Sequence, residues 1–324
     1  MISLKHSNLI VLHPTSPFHF DATLFKPDHF PSPDNAWQPG IRWQTMRWAD
    51  VPLGLKFEKG GTLEQPEIYL HVYAAEPLDA AYLERLVMEI RFRYNLDLDL
   101  TPFYDRFDHD EHLGPIISRW RGMRELNCNS LYEYLIITIV LQNATVRRSV
   151  TMLQNLLQQY GDLLAYDEQR LYCFWEPKTI ARRTDAELRA LKVGYRAKSI
   201  LRVTEAFSSR KVDEHELRQK LYDVQRQTLL DLYGVGPASV GYILSAVFHH
   251  LDELQHISPW EQKIYSKLFL GCDSLEPTPV KDLIAFLTNR YGGYRAISIH
   301  YFWEDLFWQW KNGMAEWLNE FIKL

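Results

Sequence analysis

The residues best suited to chemistry lie between Leu229 and Leu268. There Gly234-Val235-Gly236 is followed by Pro237-Ala238-Ser239 and, one helix later, by Ser258-Pro259-Trp260-Glu261. A tight Gly-x-Gly turn opening a helix points several backbone N–H groups outward, with the positive end of the helix dipole behind them. That is a phosphate-binding geometry. Gly234 and Gly236 let backbone approach a ligand without a Cβ in the way. Pro237 suits the first helical turn, where its missing N–H costs nothing. The Ser239 hydroxyl is a candidate for a phosphate oxygen, and Glu261 is a candidate catalytic carboxylate. A plain helix–turn–helix corner is the bland alternative. Leucines and isoleucine at helical spacing (Leu229, Leu232, Ile243, Leu244) fix two helices across the turn and favour the phosphate reading.

The elements that must hold these groups divide at about residue 105. Before it, Phe18–Phe25, Ile41–Trp48, Leu53–Phe57 and Ile68–Tyr73 are short, aromatic and roughly alternating. Turn signals at Pro31-Ser32-Pro33, Pro39-Gly40 and Gly60-Gly61 separate them, as in an antiparallel sheet. A helical pattern over Ala80–Tyr94 follows, so residues 1–105 read as an α+β domain with antiparallel sheet plus helix. Residues 106–324 read as almost wholly helical. Ser130 is expected to cap Leu131–Gln142, and Gln142-Asn143-Ala144-Thr145 re-caps before Val146–Tyr160. Thr184-Asp185-Ala186-Glu187 is a capping box, and its helix is expected to end at Gly194. Further helices are expected over Tyr195–Phe207, Glu214–Tyr222, Val280–Tyr291 and Ala296–Trp310. The fold class is mainly α with an N-terminal α+β domain.

Composition bounds the partners. The chain has 324 residues, a hydrophobic share of 46% and a charged share of 24%, ordinary for a globular protein. Net charge is −5, so no global basic field draws it onto a polyanion. Any such partner must meet a local patch and backbone amides. Such a patch runs through Lys178, Arg182, Arg183, Arg189, Lys192, Arg196, Lys198 and Arg202, against a solvated helical face as the alternative. Aromatic residues make up 14%, an excess that belongs mostly to the core and otherwise to a base-stacking surface. The three cysteines, Cys128, Cys173 and Cys272, follow no metal spacing; they suggest reduced thiols and argue against an iron–sulfur cluster. His249, His250 and His256 lack a convincing ligand spacing as well. No apolar run approaches the roughly eighteen residues of a membrane span. The expected location is cytoplasmic, nucleoid-associated if the source is bacterial, and a monomer is expected.

Leu232-Tyr-Gly-Val-Gly-Pro-Ala-Ser239 followed by Ser258-Pro-Trp-Glu261 resembles the helix–hairpin–helix DNA glycosylase superfamily. Leu131–Tyr160 resembles the family segment whose residue fills the gap left by a flipped base. Leu191-Lys-Val-Gly-Tyr-Arg-Ala-Lys198 resembles a glycine-rich strip of the same family. Tyr291–Trp303 resembles the carboxy-terminal helix of alkyl-purine glycosylases, which ends in a pocket tryptophan. The resemblance is to the 3-methyladenine glycosylase II and 8-oxoguanine glycosylase types, and covers nearly the whole chain.

The resemblance implies a helical domain of two lobes with the site between them, and double-stranded DNA containing a damaged base as partner. Gly234, Val235, Gly236, Ser239, Gln142, Asn143, Arg196 and Lys198 would meet DNA, with Asn143 as the wedge. Tyr242, Trp303, Trp260 and Tyr301 would line the base pocket, and Glu261 would drive hydrolysis. No cofactor is implied beyond a Na+ or K+ ion on the Gly234–Gly236 backbone. Two departures are visible. Ala238 stands where lyase members hold a lysine nucleophile, which implies a monofunctional enzyme, since alanine forms no Schiff base. Glu261 stands where the family has aspartate; the extra methylene shifts the carboxylate, and about 1 Å of misplacement can cost about a hundredfold in rate. The implied activity is hydrolysis of the N-glycosidic bond of an alkylated purine. An oxidised-purine glycosylase and a catalytically inactive damage-binding homologue are the alternatives.

Overall fold

The structure is a computed structural model and describes residues 1–25, 32–272 and 276–321. Pro31, part of one expected turn, lies outside the described residues. Strands β1 (Ile2–Ser3) and β2 (His6–Leu12) open the chain. One turn of helix, α1 (Phe20–Leu24), precedes β3 (Asn35–Gln38), β4 (Ile41–Trp48), β5 (Val51–Gly61) and β6 (Pro66–Ala74). Then come α2 (Ala80–Arg93), α3 (Thr101–Phe107), α4 (Gly114–Trp120), α5 (Leu131–Leu141) and α6 (Val146–Tyr160). A hairpin of β7 (Asp162–Tyr166) and β8 (Gln169–Cys173) interrupts the helices. The rest is α7 (Pro177–Ile180), α8 (Asp185–Ala190), α9 (Arg196–Ser208), α10 (Glu214–Arg218), α11 (Tyr222–Leu230), α12 (Pro237–Ala246), α13 (Pro259–Leu270), α14 (Val280–Tyr291) and α15 (Arg295–Lys311). The class is mainly α with an N-terminal α+β region.

Two compact units share this chain. The first holds residues 1–100, 121–219 and 232–234; the second holds 101–120, 220–231 and 235–324. In the first, β2-β6-β5-β4-β3 form an antiparallel sheet. Its alternating residues Leu53, Leu55, Phe57, Ile68, Leu70 and Val72 are fully buried together with Leu86 and Ile90 of α2. The period-2 pattern of the strands and the amphipathic α2 thus share one core. The expected strand at Phe18–Phe25 is instead a helical turn, because the His19 imidazole accepts the Ala22 amide and caps it. The β7–β8 hairpin was also not expected; β7 pairs with β1 in parallel to give a second, three-stranded sheet.

The caps explain where the helices begin. Ser130 and Glu133 form a capping box on α5, Thr184 and Glu187 another on α8, and Asp79 caps α2. Gly194 has a left-handed φ of 63° but lies beyond the end of α8, which is capped at Leu191. A buried ionic cluster joins elements of the first unit: Glu89 meets Arg93 at 2.6 Å and Arg218 at 2.7 Å. The second unit packs on aromatic rings. Phe103, Phe107, Phe269, Tyr291, Tyr301 and Phe302 contact one another with centroids 4.8–6.4 Å apart. Much of the aromatic excess is spent there. Among the described residues no helix is long and apolar enough to cross a membrane.

Candidate functional site

In the first unit, the loop between α5 and α6 presents Asn143 at its tip, exposed and with φ +48°. Asparagine tolerates this left-handed conformation better than most residues. The loop is held from below. The Gln142 side-chain amide donates to the Gly234 carbonyl at 2.8 Å, and the Arg196 guanidinium donates to the Gln142 carbonyl. The Asn143 amide reaches the Tyr195 hydroxyl at 3.4 Å.

Arg196 was expected to contact DNA, and here the structure corrects the sequence. Its side chain is 2% exposed, lies 4.7 Å from the Tyr195 ring centroid and is spent on the Gln142 carbonyl. The guanidinium is thus turned under the loop rather than toward the surface. Lys198 is exposed, with its ammonium 4.8 Å from the Tyr233 ring. Several other cations of the basic strip are neutralised locally. Lys178 pairs with Glu176, Arg183 with Glu187, Arg189 with Asp185 and Arg202 with Glu205.

The hairpin carries out the backbone demands read from its glycines, but unequally. Gly234 has φ +82°, and a Cβ there would lie 2.2 Å from Ser199 Oγ. Gly236 has an ordinary φ of −101° as N-cap of α12, and a Cβ there would meet nothing within 4 Å. Space beside Gly236 is therefore open. With Gly236 as N-cap, Pro237, Ala238 and Ser239 occupy the first three helical positions. No side chain caps this helix. The amides of Ala238 and Ser239 therefore belong to the first turn, which has no carbonyl partners inside the helix. Val235 is buried, so any contact it makes with a ligand is through its backbone.

In the second unit, α13 begins with Ser258 as N-cap and Glu261 at its third position, forming a capping box. Glu261 Oε2 accepts the Ser258 amide at 2.9 Å and the Ser258 hydroxyl at 2.5 Å. Its Oε1 accepts the Tyr242 hydroxyl at 2.8 Å. Glu261 as a whole is 5% exposed. Tyr242 and Trp260 are solvent-exposed, and Trp260 packs on Trp303 with ring centroids 5.0 Å apart. Beside Glu261 lies Tyr265, whose phenol is pushed well above its usual pKa, by burial first and by the Glu261 charge next. Sequence-predicted residues thus meet in two pairs, Tyr242 with Glu261 and Trp260 with Trp303.

Tyr301 does not join them. It is fully buried, hydrogen-bonded to Tyr104 at 3.0 Å, and packed on Phe103. The expected pocket ring is core instead, since Tyr301 lies two residues from Trp303 on α15 and so on its opposite side. The histidines before α13 build the loop. His250 meets Gln225 at 2.6 Å and has its pKa lowered, chiefly by burial. Nearby Glu253 accepts the Tyr222 hydroxyl and so ties the same loop to α11. Among the described residues no group of histidine, cysteine and carboxylate could hold a metal ion.

Two features of the site escaped the sequence. One is the Tyr242–Glu261 hydrogen bond, which joins separate helices. The other is Ser199, whose side chain closes on Gly234; its small size, one turn after Tyr195, is the only hint in the sequence.

Comparisons with known proteins agree with this architecture. No protein-family model matches the chain. A DNA-3-methyladenine glycosylase of Bacillus subtilis is 22% identical over 171 residues, 52% of this chain and 56% of that protein. The match thus spans little more than half the length of that relative. The 3-methyladenine DNA glycosylase from Archaeoglobus fulgidus superposes with a TM-score of 0.74 at 13% identity, over 92% of this chain and 99% of the other. The Clostridium acetobutylicum 8-oxoguanine glycosylase/lyase in complex with double-stranded DNA gives 0.71 at 14% identity, over 96% and 99%. The chain thus has the fold of these DNA glycosylase structures and a low sequence similarity to the Bacillus subtilis enzyme.

Proposed function

We propose that the chain is a monofunctional DNA glycosylase that releases a damaged purine, an alkylated one first, from double-stranded DNA. The observation that carries this reading is the Tyr242 hydroxyl on the Glu261 carboxylate, at the start of a helix that also presents Trp260 against Trp303. Cleaving an N-glycosidic bond develops positive charge on the sugar, which a carboxylate stabilises while it orients or deprotonates water. Glu261 Oε1, the oxygen outside the capping box, accepts the Tyr242 hydroxyl and is the one assigned to that water. An alkylated purine carries positive charge and needs little help to leave. Exposed tyrosine and tryptophan faces attract such a ring.

The stacking distance limits where the base goes. A flat ring held between two others needs their planes about 7 Å apart, twice the van der Waals contact. Trp260 and Trp303 are closer than that, so the base stacks against the exposed faces of Trp260 and Tyr242. Asn143 acts as the wedge that holds the duplex open, with Gln142 behind it. The free amides of Ala238 and Ser239, with the Ser239 hydroxyl, take a backbone phosphate. Backbone at Gly234, Val235 and Gly236 and the Lys198 ammonium complete the DNA contacts. A sodium or potassium ion would be held by the backbone of the Gly234–Gly236 turn, where it would add positive charge near the phosphate.

The absence of a lyase step rests on α12 and α13. Ala238 is the second residue of α12, and the segment Pro237–Ala246 contains no lysine. Lys263 lies two residues beyond Glu261 on a helix, hence on the opposite side, and is exposed. Glu261→Gln tests the hydrolytic assignment, because glutamine can keep the capping box through its oxygen while the charge and the second acceptor oxygen are removed. Base release from alkylated duplex should fall at least about a hundredfold with binding retained. Undiminished release would reject Glu261 as the catalytic group.

Two other readings have one observation each. The exposed, polar Asn143 favours an oxidised-purine substrate, separable by competition between alkylated and 8-oxoguanine duplexes. The full engagement of Glu261 in its capping box favours a binding protein that has lost catalysis. In that case Glu261→Asp would gain base release that the natural chain lacks.

A further inference from the structure

A cavity of about 400 Å3 lies in the first unit, lined by Thr145, Arg147, Arg148, Thr151, Met152 and Lys192. Met152, 1% exposed, is its floor, and the other five are exposed. It carries three cations and no carboxylate. The contrast with its surroundings is sharp, since Arg183, Arg189 and Arg202 nearby in sequence each have an acidic partner. Among the described residues, Arg147, Arg148 and Lys192 have none. Lys192 is held in place by its turn: the Asn155 amide donates to the Leu191 carbonyl at 3.0 Å, and the Lys192 amide donates to Arg189 at 2.9 Å. Thr145 Oγ accepts the Arg148 amide, which leaves its hydroxyl proton free to donate into the cavity. A cavity offering cationic and hydroxyl donors, with no acid to compete, suits an oxygen-rich anion.

We propose that this cavity holds a second phosphodiester of the DNA, separate from the one on the hairpin. The proposal rests on the DNA-binding reading above. Its position supports a strand rather than a free anion. Thr145 follows Asn143 by two residues, at most about 7 Å of chain. A strand advances about 3.4 Å per nucleotide, so a backbone opened at Asn143 passes a phosphate by the cavity within about two nucleotides. The volume leaves room for a sugar beside the phosphate. Arg147 and Lys192 are the side chains assigned to this grip, and they carry no base specificity.

The test is a salt series of duplex binding with Arg147→Gln, Lys192→Gln and the double variant, beside the natural chain and Gly236→Ala. All the substituted side chains are exposed or half-buried, and a thermal melt confirms that the variants fold. Each lost phosphate contact should reduce the slope of log affinity against log salt by about 0.9. The loss of affinity between 50 and 200 mM salt then shrinks about threefold per contact. An unchanged slope in the double variant, with Gly236→Ala weakened, overturns the proposal and leaves the DNA reading intact. A natural chain that binds no duplex removes both. Titration with inorganic phosphate and pyrophosphate supplies the other arm. Saturation at those cations without any change of duplex slope in the variants identifies a small-anion site and also overturns the proposal.

Discussion

The Gln142 side-chain amide donates to the Gly234 carbonyl at 2.8 Å, across 92 residues of sequence. This bond ties the exposed Asn143 loop to the glycine that begins the hairpin. Arg196 holds the other side of the same residue through the Gln142 carbonyl, so one glutamine is clamped by its main chain and its side chain. Loop and hairpin entry are therefore one structural unit rather than two independent surface features.

Gln142→Ala removes one neutral hydrogen bond at a partly exposed position, worth about 1 kcal/mol. Thermal stability should fall by no more than that. Duplex affinity should fall further, by about tenfold or more, because an unclamped loop must be ordered on binding. Melting curves and fluorescence anisotropy measure the two quantities. Equal losses in both would show that the clamp serves only the fold.

The two glycines of the hairpin should separate cleanly. Gly234→Ala meets Ser199 Oγ at 2.2 Å in a left-handed conformation, so it should cost about 2 kcal/mol or more of stability. Ser199→Gly in the same chain should recover the steric part and leave the conformational part. Gly236→Ala meets nothing and has a permitted φ, so stability should change by less than about 1 kcal/mol. Its effect should appear in duplex affinity alone, where a methyl group stands in the path of the phosphate. Chemical denaturation beside binding curves distinguishes the pair.

How far the sequence could be read depended on whether the deciding partner was local. Ser130, Thr184 and Asp79 cap their helices through residues three positions away, so those starts were legible. So was the alternation of Leu53, Leu55 and Phe57. The β7–β8 hairpin was not. Its turn places Asp167 at φ +46° and Glu168 at φ +62°, where Asn-Gly would have announced it, and its other partner is β1 at the chain start. Arg196 looked like one more cation in a basic strip because the carbonyl that buries it lies 54 residues earlier. Tyr301 looked like a pocket ring because helical spacing does not say which of several aromatic faces points inward. At Glu261 the residue was picked out, but its place as third residue of α13 was not; the Ser-x-x-Glu spacing from Ser258 was the available signal.

Acid should act on the first unit through Glu89. Burial by itself would raise its pKa; the Arg218 hydrogen bonds and the Arg93 charge more than reverse that and bring it down to about 2. A folded pKa below the ordinary 4.5 stabilises the fold fully above 4.5, and the contribution is lost as pH falls toward 2. The shift corresponds to about 3 kcal/mol. Glu133, whose pKa is raised chiefly by burial, acts in the opposite sense and gains stability as it is protonated. Glu89→Gln should therefore lower stability by about 3 kcal/mol at pH 7. Its deficit against the natural chain should shrink between pH 4.5 and 2 in denaturant titrations. A deficit constant over that range would exclude the ionic cluster as its source.

Tyr242 and Ser258 hold opposite oxygens of Glu261, and removing each should have a different consequence. Ser258→Ala deletes the cap hydroxyl of α13, at a cost of about 1 kcal/mol in stability. It leaves the Tyr242 bond to Oε1 in place, so base release per bound complex should change little. Tyr242→Phe leaves the capping box intact and stability nearly unchanged, but frees the oxygen assigned to water from its orienting donor while keeping an aromatic face for the base. Single-turnover release should then fall by about ten- to a hundredfold with duplex affinity preserved, the pattern of a group that acts on the reacting carboxylate rather than on binding. A loss of affinity at unchanged single-turnover rate would instead make Tyr242 a stacking surface only, and the hydrogen bond to Glu261 a structural link between α12 and α13.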